Sequence, residues 1–158
     1  MLKKYPILLL ILCLLLPLSV GFIAGMATSA SIDNWYAGLR KPSFNPPNSI
    51  FGPVWTMLYV LLGYSLFLIL TKGSAAMRNR NRLVFGIQLA LNFLWSFLFF
   101  YFEEPLLALI DIVLLWFAIA WMIRTFYTQY RPAGLVNIPY LLWVSFATIL
   151  NSAIVYLN

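Results

Sequence analysis

Five long apolar runs separated by short polar connectors organise this chain. They cover 5–30, 52–71, 83–102, 105–123 and 134–157, each near the roughly 20 residues that cross bilayer hydrocarbon. None alternates with a period of two, so helices are expected rather than strands. In lipid every backbone amide must be paired internally, and short alternating strands are absent, which removes the barrel as an alternative. The pattern predicts an all-α membrane protein: a single domain over 1–158, a five-transmembrane-helix bundle with one longer connector at 31–51.

Composition strengthens this reading. The chain is 63% hydrophobic and only 9% charged, with a mean hydropathy of +0.91, far from soluble domains, where about a quarter of residues are charged. The first run also fits a secretory leader, because Lys3 and Lys4 precede it and Ala27-Thr28-Ser29-Ala30 follow its apolar part. Its apolar stretch exceeds the roughly 7–15 residues of a leader core, so a retained helix is expected. Cys13 lacks the small preceding residues of a lipoprotein box, and a single cysteine excludes an intrachain disulfide.

Charge then sets an expected orientation. Lys3 and Lys4 precede the first run, Lys72, Arg78, Arg80 and Arg82 fill the second connector, and Arg124 and Arg131 flank the fourth. Arg40 and Lys41 lie on the opposite side with Asp33, Glu103 and Glu104. The basic bias places the N-terminus inside, the C-terminus outside and the long connector outside, in a membrane that the short basic N-terminus suggests is a bacterial cell membrane. The net charge of +6 is thereby a topology signal that fits contact with anionic lipid. Split among juxtamembrane connectors, it makes no nucleic-acid patch.

Polar side chains inside spans are costly and so carry most of the functional information. Gln88, Asn92 and Trp95 share one face of the third run, with Phe99 continuing the stripe. Two readings stand level: amides bonding between helices, or amides presented to a ligand. Tyr140, Trp143, Ala147, Leu150 and Asn151 form a comparable stripe in the fifth run. Pro139, read as lying within that helix, is expected to remove a hydrogen bond and open room beside Tyr140 and Trp143. Trp55 and Tyr59 share a face of the second run just after Pro53, a residue suited to a first helical turn. Interfacial anchoring is the competing reading for Trp35, Trp55 and Tyr59. Asp111, the one acid inside a span, is read as a helix-packing or near-surface group as readily as a proton relay.

Histidine is absent, which removes His metal sites, His general bases and a histidine haem ligand. Cysteine clusters, paired carboxylates, phosphate loops and nucleophile elbows are missing too, so no metal site is expected and hydrolysis or phosphoryl transfer is disfavoured. Aromatic surface remains: 13 Phe, 9 Tyr and 6 Trp. Its natural partner is a large flat apolar ligand oriented by a few amides.

These residues fall into blocks. WY-x-x-L-x-KP-x-x-x-PP spans 35–47, P-x-W-x-x-L-Y spans 53–59, Q-L-x-L-N-x-x-W spans 88–95 and PYL-x-W-x-x-F-A-x-x-L-N spans 139–151. In order and at these separations, they resemble the tryptophan-rich sensory protein family, whose animal member is the translocator protein or peripheral benzodiazepine receptor. The resemblance implies a five-helix membrane protein, often a homodimer, that binds porphyrins such as protoporphyrin and haem. It also implies binding of isoquinoline or benzodiazepine-type drugs and, in animals, cholesterol. Porphyrin or haem is then a ligand, and no cofactor is required. The implied pocket takes Trp35, Tyr36, Trp55, Tyr59, Gln88, Asn92, Trp95, Tyr140, Trp143, Phe146, Ala147 and Leu150, with the connector as a lid.

For some bacterial members a photo-oxidative degradation of porphyrin is proposed, in which Trp55 and Trp143 would be the reactive pair; receptor binding is the leading expectation and transport the weakest. Two positions depart from the family pattern. Phe44 stands where many members have tryptophan, and Leu150 and Tyr156 are followed by no Lys or Arg, so weak sterol binding is expected.

Overall fold

The computed structural model describes residues 6–158; Lys3, Lys4 and Tyr5, on which part of the charge pattern and the expected start of the first helix rest, lie outside the described residues. The elements in order are α1 (Pro6–Ile32), α2 (Trp35–Gly38), α3 (Asn48–Lys72), a 3₁₀ turn (Ala75–Met77), α4 (Arg78–Ser96), a π turn (Phe97–Tyr101), α5 (Pro105–Tyr127), α6 (Arg131–Leu135) and α7 (Ile138–Leu157). Among the described residues, five helical segments are long and apolar enough to cross a membrane, Pro6–Ile32, Asn48–Lys72, Ala75–Tyr101, Pro105–Tyr127 and Arg131–Leu157. Helix α1 packs on α3 and on the π turn, α4 on α5, and α5 on α6 and α7.

Several boundaries move from those the pattern predicts. The connector is shorter than 31–51, because α3 starts at Asn48 and a turn of helix, α2, interrupts what remains. Pro53 consequently lies inside α3 rather than in its first turn. Pro139 sits in the first turn of α7, where its missing N–H is one of the helix's orphan donors, so it removes no bond. The interruption falls instead between α6 and α7, where Asn137 bridges the break. Its Nδ2 donates to Ser65 Oγ at 2.7 Å and to the Ala133 carbonyl at 2.9 Å.

Lipid tails are as apolar as leucine, so these helices hold together through close packing and interhelical hydrogen bonds rather than through the hydrophobic effect. Gly63 shows the packing term: a Cβ there would lie 2.6 Å from the Cys13 carbonyl oxygen, so α1 and α3 touch backbone to backbone. Leu62, Val84, Ile112, Ile119, Met122 and Val144 fill the interior around that contact. Asp111 belongs to this interior as well. It is 4% exposed, and its Oδ2 has no partner, which corrects the near-surface reading.

Candidate functional site

Above the Gly63 contact, toward the connector end, α1 and α3 separate and a cavity of about 710 Å³ opens between them, α4, α7 and α2. That volume falls within the roughly 300–1,000 Å³ of small-molecule sites. Tyr59 makes its floor. Gly21 of α1 is what allows this, since any side chain there would collide with the Tyr59 ring. Trp55 stacks on Tyr59 at 5.7 Å and 28°, and lies 6.5 Å from Trp95, which in turn stacks on Phe99 at 5.4 Å. Trp143 forms the α7 side with Ala147 and Leu150, its ring held edge-on by Phe51 at 6.0 Å.

The π turn decides which aromatic rings reach the cavity. By widening the helix after Ser96 it brings Phe99 and Phe100 to the wall, a use of π geometry common at functional sites. Glu103, with a φ of 58°, then reverses the chain into α5.

Beneath the floor lies a polar chain sealed from the cavity. Tyr59 Oη donates to Asn92 Oδ1 at 2.6 Å, Asn92 Nδ2 donates to Tyr140 Oη at 3.0 Å, and Tyr140 Oη donates to Gln88 Oε1 at 3.1 Å. Tyr140 and Gln88 are fully buried, and Asn92 is 1% exposed. Three helices are thereby tied by one continuous set of bonds, which ends at Gln88 Nε2 without a partner. A second tie fixes the wall itself: Trp95 Nε1 donates to Asn151 Oδ1 at 3.1 Å, and Asn151 Nδ2 donates to the Pro105 carbonyl at 2.9 Å.

The connector covers the end of the cavity. Tyr36 is buried on its wall and donates from Oη to Asn45 Oδ1 at 2.9 Å, while the Lys41 ammonium sits 4.6 Å over the Tyr36 ring. Burial raises the Tyr36 pKa above its ordinary value of 10.0, and the Asn45 bond opposes that in part. Arg40 N–H donates to Asn158 Oδ1 at 2.9 Å, and Asn158 Nδ2 returns a bond to the Arg40 carbonyl at 3.1 Å, fastening the connector to the end of α7.

Of the residues singled out in the sequence, Tyr36, Trp55, Tyr59, Trp95, Trp143, Ala147 and Leu150 line the cavity. Gln88, Asn92 and Tyr140 lie beneath it in the buried chain. Trp35 packs edge-on against Phe99 at 5.5 Å, and Phe146 sits between Trp143 and Phe44, so both support the wall from behind. The α1 wall, with Leu18, Gly21, Phe22, Gly25, Met26 and Ser29, escaped the sequence reading. Its one available signal was the spacing of Gly21, Gly25 and Ser29 on a common helix face.

Aromatic and aliphatic surface dominates this wall, and among the described residues no three His, Cys, Asp or Glu side chains gather to hold a metal. The sequence pattern of the TspO/MBR family matches residues 13–157. The chain belongs to the TspO/MBR family. It is 43% identical over 152 residues to the tryptophan-rich protein TspO of Archaeoglobus fulgidus, covering 96% of this chain and 98% of that one. Similarity to the Chlorobaculum tepidum tryptophan-rich protein TspO is comparable, 44% over 153 residues, covering 96% and 97%. The human translocator protein is 38% identical over 120 residues, 74% of this chain and 70% of its own. Family membership and five apolar helices together make this an integral membrane protein of the TspO/MBR family.

Proposed function

We propose that this TspO/MBR protein is a membrane receptor or sensor that encloses a tetrapyrrole, protoporphyrin or haem, or another flat apolar molecule, in the aromatic cavity. The observation that carries the reading is the convergence of Trp55, Trp95, Trp143, Phe99 and Phe100 on one cavity of ligand size. Stacked and edge-on rings each add about 0.5–1.5 kcal/mol beyond burial, and they favour planar π systems. The same chemistry accommodates isoquinoline or benzodiazepine-type compounds. The basic bias of the sequence favours a bacterial cell membrane with the N-terminus inside and the connector outside, and a homodimer is the expected assembly.

Titrating detergent-solubilised protein with protoporphyrin while following tryptophan fluorescence tests this. Saturable quenching is expected, with Trp55→Leu and Trp143→Phe each weakening affinity by about tenfold, or ~1.4 kcal/mol. Quenching that never saturates, or that ignores both substitutions, rejects the reading. Because Trp55 and Trp143 face the same cavity, photo-oxidative porphyrin degradation is the second reading. Illumination would then yield a new product that disappears when either indole is removed, whereas equal bleaching by an unrelated membrane protein excludes it.

A further inference from the structure

One side of the cavity is missing its wall. Between α1 and α3 the lining residues Phe22 and Met26 are 73% and 60% exposed, so they face both the cavity and the surroundings of the bundle. Gly25, Ser29, Gly52 and Thr56 complete the edges of this slot and are exposed as well. A Cβ added at Gly25 or Gly52 would meet nothing within 4 Å, in contrast to Gly21 and Gly63 lower in the same helix pair. The slot runs from Asp33 and Asn48 at the helix ends to Phe22, ten residues into α1. At 1.5 Å per residue it reaches about 15 Å deep, half of a ~30 Å hydrocarbon layer.

Its edges are suited to lipid. Thr28 Oγ1 donates to the Ala24 carbonyl at 3.2 Å, Ser29 Oγ to the Met26 carbonyl at 3.0 Å and Thr56 Oγ1 to the Gly52 carbonyl at 2.9 Å. Each hydroxyl is spent on its own helix, and none requires water. By contrast the Arg40–Asn158 pair of bonds and the Tyr36 bond to Asn45 hold the connector in place at the other end.

We propose that the slot between α1 and α3 is the ligand portal: a flat apolar molecule dissolved in the bilayer enters sideways and edge-on, with Gly25 and Gly52 setting the width that admits it. The inference rests on the reading of the cavity as a ligand site. A planar ring passes where two helices lack side chains and thicker molecules do not, so the glycines select for flatness before the aromatic wall does. Entry requires only displacement of lipid, whereas entry past the connector breaks its hydrogen bonds.

Protein in lipid nanodiscs, mixed with protoporphyrin in a stopped-flow instrument, gives both rate constants. Gly25→Leu with Gly52→Leu is expected to slow association and dissociation together, each by about tenfold. Gly25→Ala and Gly52→Ala, too small to disturb the helices, should show the same trend in lesser degree. Asn158→Ala should leave both rates unchanged. Faster exchange in Asn158→Ala, with no effect of the glycine substitutions, overturns the proposal, as does a weakened Kd that arises from faster dissociation with association unchanged.

A second arm needs no tetrapyrrole. Nanodiscs of dibrominated phosphatidylcholine should quench wild-type tryptophan fluorescence more than that of the double leucine variant, and the difference should vanish in a Trp55→Phe background. Equal quenching rejects the portal. Absence of protoporphyrin binding with this difference intact rejects the tetrapyrrole reading alone.

Discussion

Helices α1 and α3 meet twice in different ways, and the contrast separates a closed half of the molecule from a half that holds the cavity. At Gly63 the backbones are in contact, and beside it the Tyr59–Asn92–Tyr140–Gln88 chain ties α3, α4 and α7. At Gly25 and Gly52 the same two helices face open space and an aromatic cavity. Glycine serves opposite ends in the two places: it permits contact in one and withholds a side chain from a gap in the other. Buried amides tie helices in both halves: Asn92 and Gln88 in the closed one, Asn151 with Trp95 at the cavity wall, where ring faces make up most of the remaining surface. Gln88 and Asn92, for which spacing left an even choice, bond to Tyr59 and Tyr140 of the neighbouring helices in this geometry.

The largest effect that probes this division is expected at Gly63. Gly63→Leu must push α1 away from α3, and overpacking of this kind costs about 1–3 kcal/mol, with more where backbone is the obstacle. Thermal denaturation in detergent should show a large fall in midpoint, while Gly25→Leu leaves the midpoint near wild type. Similar losses at both glycines would erase the distinction between the two halves.

Next in size is Asn92→Leu, which strips partners from two buried phenols at about 1–3 kcal/mol. The expected signature is lost stability with protoporphyrin affinity retained. Retained stability with collapsed affinity would move Asn92 from the scaffold to the ligand site.

A smaller effect is expected where the connector is fastened. Asn158→Ala removes both exposed bonds to Arg40, together worth about 1 kcal/mol. Limited proteolysis within 39–47 should quicken, with the bundle unaffected.

Smallest is a dependence on pH at Tyr36. Its folded pKa is raised above 10.0, chiefly by burial, so the fold favours the neutral phenol. The associated stability is complete below that pH and is lost as pH rises through the folded value. As pH rises above about 10 the melting midpoint of wild type should fall relative to Tyr36→Phe. Parallel curves would show that the connector's tyrosine is not sealed.

Much of this was legible in the linear chain, and the reasons are local. Run length and the cost of unpaired amides in hydrocarbon dictate five helices, and a period of 3.6 places Trp55 with Tyr59, and Trp143 with Ala147 and Leu150, on common faces. Which side of each face meets the cavity is a property of neighbours. Asn92 and Trp95 share a stripe, yet the first is bonded between Tyr59 and Tyr140 beneath the floor and the second lines the wall, because different neighbours pack on each turn of α4. The α1 wall was illegible for a related reason: Gly25 resembles a packing glycine until its surroundings prove empty. Sequence alone determined the membrane class, the number of spans and the aromatic inventory, since each follows from transfer free energies summed along the chain. Tertiary structure alone decided where helices touch, where they part and which amides bond between them, since contact in lipid depends on the shapes of two surfaces at once.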